Sequence, residues 1–148
     1  MAFFPTKILL ANDGTEDSAP AARAAADISE GTGSELRVIH VGKDISNSED
    51  FNDTGSGENS PAGRARQFLD NTVREVEQAG GSVAESHVIA GKDPADEVLK
   101  AMRDGDIGMV VVGNRSLGWF RSTVQGSVSS SLVRESSLPV LVVPSDLE

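Results

Sequence analysis

Gly113, Ser116, Gly126 and Ser127 are the residues whose types and spacing could do chemistry. Gly113 closes the apolar run 109–112. Two residues separate it from Ser116, and nine more, 117–125, separate Ser116 from Gly126-Ser127. Glycines let a backbone approach a ligand closely, and successive N–H groups can converge on an anion. Gly126-Ser127-Val128-Ser129 then opens a predicted helix. There the free N–H groups and the helix dipole favour negative charge, and two hydroxyls add hydrogen-bonding capacity. Arg115, between Gly113 and Ser116, can pair with a phosphate. The pattern suits the holding of an anion.

Bond-breaking machinery is poorly represented. The chain has no cysteine, which excludes disulfides, thiolate nucleophiles and Cys-ligated metals. Its two histidines, His40 and His87, both fall inside predicted strands, and His40 is expected as a satisfied core or edge residue. A dinucleotide G-x-G-x-x-G after the first strand, a P-loop and a G-x-S-x-G nucleophile elbow are all missing. A nucleophilic hydrolase is therefore poorly supported.

The elements that must position the glycine loop read as follows. Residues 7–11 (KILLA) form a short apolar strand ending in the turn Asn12-Asp13-Gly14. An alanine-rich helix over 19–28 is expected to stop at Gly31. A second strand spans 35–41, and a polar loop over about 43–60 follows it, mobile or ordered on binding. The next helix covers 61–78, with Ala62, Ala65, Phe68, Leu69, Val73 and Val76 as its apolar stripe. Strand 82–89 comes next. Asp93 and Pro94 then provide a cap and a first helical position for helix 95–103, whose inward residues are Val98, Leu99 and Met102. Strand 109–112, helix 128–135 and strand 139–143 complete the chain. Strict alternation of strands and helices implies a parallel sheet covered on both faces. In such sheets ligands bind beyond the carboxyl ends of the strands, where strand order reverses.

Bulk properties agree with one α/β domain over residues 1–148. The chain is long enough to bury a proper core. It is 38% hydrophobic and 24% charged, ordinary values for a globular protein. No apolar run approaches the roughly 18 residues of a membrane span, and MAFFPTK lacks a basic n-region, so the expected location is the cytoplasm, away from any membrane. A net charge of −10 disfavours nucleic acid as a partner.

The chain closely resembles the universal stress protein family, whose nucleotide-binding members carry G-x-x-G, nine residues, then G-[ST]. The gap 117–125 matches. Ile8-Leu-Leu-Ala-Asn-Asp13-Gly-Thr15 looks like the family's first-strand V-A-V-D-G-S, and Ile39-His40-Val41 looks like the end of its second strand. Gly91-Lys-Asp-Pro94 is similar to its G-x-P turn, and Pro139-Val-Leu-Val-Val143 to its closing P-V-L-V-V. Five matches in the right order are much more specific than any one of them, and they cover nearly the whole chain.

The resemblance implies an adenine nucleotide alpha hydrolase-like fold: five parallel strands in order 3-2-1-4-5 with helices on both faces. It also implies an adenine-nucleotide site. The acid at Asp13 and the backbone at Val41 would hold adenine, with Ala11, Asn12, Gly14 and Val112 beside them. Gly113, Arg115, Ser116, Gly126, Ser127, Val128 and Ser129 would hold ribose and phosphates. The ligand would be ATP or AMP, with or without Mg2+. Ionised Asp13 accepts hydrogen bonds only, which matches the donor that the adenine amino group presents. A homodimer through the last strand, Val140, Leu141, Val142 and Val143, would cover an apolar edge that is a liability in a monomer.

One position departs from the family pattern. Ser116 stands where the second loop glycine would be, and a serine at positive φ costs on the order of 1 kcal/mol. Gly118, two residues on, can absorb the turn. Two readings follow. One is an ATP- or AMP-binding cytoplasmic homodimer of the stress response; the other is a nucleotide-independent dimeric interaction module on the same fold. Turnover beyond slow ATP hydrolysis is not expected, because no crevice residue is an obvious general base.

Overall fold

The computed structural model describes residues 2–12, 19–42, 60–113 and 138–144. Five strands run through them: β1 Lys7–Asn12, β2 Glu35–Gly42, β3 Glu85–Ala90, β4 Met109–Gly113 and β5 Val140–Val143. Three helices alternate with the first four strands: α1 Ala19–Thr32, α2 Pro61–Gln78 and α3 Pro94–Asp104. All pairings are parallel, in the order β3-β2-β1-β4-β5. The expected strand order is therefore the observed one. The predicted loop 43–60, save Ser60, and the predicted helix 128–135 lie outside the described residues.

Side-chain alternation along the strands divides the core into two layers. Ile8, Leu10, Leu36, Val38, Met109, Val111 and Val143 pack with Ala21, Ala22, Ala25 and Ala26 of α1 and with Leu69 and Val76 of α2. Leu9, Ala11, Ile39, Val41, Val110 and Val112 pack on the opposite face with Val98 and Met102 of α3. The sheet is thus covered on both faces, which is why its central strands read as continuous apolar runs.

Local chemistry sets the helix ends. The Ser60 hydroxyl accepts from the Gly63 N–H at 2.9 Å, and Pro61 follows at the first helical position of α2. Asp93 caps α3 by accepting from the Asp96 N–H, with Asp96 and Glu97 in the first turn and Arg103 in the last, each matching the helix dipole. The expected stop at Gly31 is corrected: α1 passes through it to Thr32 and ends at Gly33, whose φ is +70°. Positive φ, rather than the presence of glycine, terminates the helix. The Thr32 hydroxyl donates back to the Ile28 carbonyl at 2.6 Å in that last turn.

Three further readings are adjusted. The strand expected over 82–89 starts at Glu85, where pairing with Arg37 begins, and runs to Ala90. Pro139 stays outside β5 because it has no N–H to donate, although its carbonyl accepts from Val110 at 3.0 Å. On α2, Phe68 is 39% exposed, and Thr72 is buried beside Ala65, Leu69 and Val76, its hydroxyl donating to the Phe68 carbonyl. His40 is buried beside the Phe68 ring, with 5.8 Å between ring centres, as expected of a core residue. His87 is exposed on the edge strand β3.

Candidate functional site

β1 lies at the centre of the sheet with β2 on one side and β4 on the other. The chain leaves β1 toward β2 and β3, then returns across it to form β4 and β5. The carboxyl ends of β1 and β4 therefore flank the place where strand order reverses, the crevice in which open α/β sheets bind ligands.

Register brings the expected residues to that end. Ala11 pairs with Ile39 of β2 and with Val112 of β4; Asn12, the last residue of β1, pairs with His40. Val41 is the next residue of β2 after His40, and Gly113 ends β4 opposite Val143 of β5. Ala11, Val41 and Val112 share the layer on the α3 face, and all are buried. They belong to the apolar core layer at this end of the sheet, and the polar groups they bring to it are those of the backbone.

Gly113 is buried as well, yet its described surroundings do not require a glycine. A Cβ built on it would stand 3.9 Å from the Val143 carbonyl oxygen and 4.0 Å from the Ala21 Cβ, ordinary van der Waals contacts. The contrast with Gly81 is instructive. There a Cβ would come within 2.9 Å of the Ala26 Cβ and 3.2 Å of the Ala26 Cα, so the contact of α1 with the turn after α2 demands a glycine. Ala21, in the first turns of α1, is the neighbour of Gly113 that sequence reasoning left out. Its only signal was the run of small residues, which reads equally well as helix packing.

The remaining expected ligand-binding residues, Asp13, Gly14, Arg115, Ser116, Gly126, Ser127, Val128 and Ser129, lie outside the described residues. Within them, β2 and β3 close their ladder past the strand ends through the Gly91 N–H, which donates to the Gly42 carbonyl at 3.3 Å. Among the described residues no group of three or more His, Asp or Glu could hold a metal ion, and no helix is long and apolar enough to cross a membrane. β5 forms one edge of the sheet, with Val140, Leu141 and Val142 half-buried and Val143 buried.

Comparison with known proteins agrees with this architecture. A sequence model of the universal stress protein family matches residues 5–144. Universal stress protein YxiE of Bacillus subtilis (strain 168) is 29% identical, the alignment covering 93% of this chain and 97% of that protein. The universal stress protein from Archaeoglobus fulgidus, solved in complex with dAMP, superposes with a TM-score of 0.67 at 17% identity, covering 96% of this chain and 99% of that one. A universal stress protein family protein from Arabidopsis thaliana, solved with AMP bound, gives a TM-score of 0.61 at 23% identity over 95% of this chain and 92% of that one.

Proposed function

This chain belongs to the universal stress protein family, and we propose that it binds an adenine nucleotide in the crevice at the carboxyl ends of β1 and β4. The observation that carries this reading is the convergence of Ala11, Val41, Val112 and Gly113 at the switch point of the sheet. Gly113 is buried there without a described neighbour that requires it to be small. The complexes of two relatives of the same fold with dAMP and with AMP support the ligand class.

The ligand is AMP or ATP. Adenine lies at the carboxyl ends of β1, β2 and β4, with its amino group donating to Asp13 and its ring edge meeting the backbone at Val41. Ribose and phosphates are held by the loop from Gly113 through Arg115 and Ser116 and by Gly126, Ser127, Val128 and Ser129. The helix expected from the sequence over 128–135 would offer its first backbone N–H groups to the negative charge. With ATP, Mg2+ would supply charge neutralisation for the phosphates.

The protein acts as a nucleotide-responsive component of the stress response in the cytoplasm rather than as a fast enzyme. It is a homodimer joined through β5, whose half-buried apolar side chains and place at the edge of the sheet among the described residues favour pairing with a second copy.

Calorimetric titration of AMP and of ATP, with and without Mg2+, tests the ligand assignment. Saturable binding to the native chain that is lost in Gly126→Val is the expected result. No heat up to millimolar nucleotide, from protein purified free of nucleotide, overturns the reading in favour of a nucleotide-independent module in which Ser116 has closed the site.

A further inference from the structure

We draw no further inference here: the strongest candidate, the patch formed on the α2 face by the half-exposed Phe68 ring beside the buried His40 at the carboxyl end of β2, carries nothing because nothing in the structure shows what covers it.

Discussion

Gly113→Ala separates the part of the crevice that serves the fold from the part that serves a ligand. The glycine is buried at the end of β4, and its φ is outside the positive range, so alanine fits its backbone without strain. The added methyl would sit 3.9 Å from the Val143 carbonyl oxygen and 4.0 Å from the Ala21 Cβ, which is normal packing distance. Loss of backbone freedom in the unfolded chain favours alanine by about 0.4–1 kcal/mol. The net change in stability should therefore stay within about 1 kcal/mol, or a few degrees in Tm for a chain of this size. Binding should behave differently. If the nucleotide lies against this backbone, a methyl group there holds it away, and AMP affinity should fall at least about tenfold, roughly 1.4 kcal/mol. Urea denaturation and calorimetric titration of the same two proteins read both quantities. Unchanged AMP affinity in the variant would falsify the assignment of Gly113 to the ligand. A stability loss above about 2 kcal/mol would show instead that packing keeps this residue small.

Three further outcomes are expected. Gly81→Ala should destabilise by about 1–3 kcal/mol in urea, because the new Cβ meets the Ala26 Cβ at 2.9 Å and the Ala26 Cα at 3.2 Å, so α1 must shift; a neutral result would contradict that contact. Ser34→Ala should cost about 1–3 kcal/mol by the same measurement. It removes the hydroxyl that accepts from the Thr6 N–H at 3.0 Å and that lies 2.7 Å from the Thr32 hydroxyl, where the end of α1 is tied to the starts of β1 and β2. A variant as stable as the native chain would mean that water replaces the serine at no cost. Light scattering at tens of micromolar should give the mass of a dimer, and a monomer mass would remove the role assigned to β5.

Much of the fold was legible because its signals are local. Asp93 followed by Pro94 announces a helix start through its own hydrogen-bonding and φ preferences, and α3 begins there. The central strands were readable from their apolar runs, since a parallel sheet buried on both faces leaves few polar interruptions there, whereas the edge strand β3 was misplaced at its start. Errors arose where geometry depends on partners. Gly31 and Gly33 are equally plausible stops by residue type, but only Gly33 takes positive φ, with the Ser34 N–H donating to the Ser29 carbonyl one residue on. Phe68 fits the apolar stripe of α2 yet stays exposed, while Thr72 is buried with its hydroxyl donating to the Phe68 carbonyl, a polar residue that the apolar pattern passes over.

The candidate site was legible unevenly. The spacing from Gly113 to Ser127 and the turn at Asp13 stand out because glycines, hydroxyls and acids at strand ends are visible as residue types, and with the family resemblance they pointed to an adenine nucleotide. Ala11, Val41 and Val112 carry no such mark, because in composition they are core residues like any other. The alternation of strands and helices established, from the sequence alone, a parallel sheet with helical cover. It could not by itself choose the order 3-2-1-4-5 without the family resemblance, since strand pairing is set between segments far apart in the chain. That pairing is what the tertiary structure decided. It puts β1 between β2 and β4, places α1 and α2 on one face and α3 on the other, and brings three ordinary core residues and one buried glycine to the same end of the sheet, beside the point where strand order reverses.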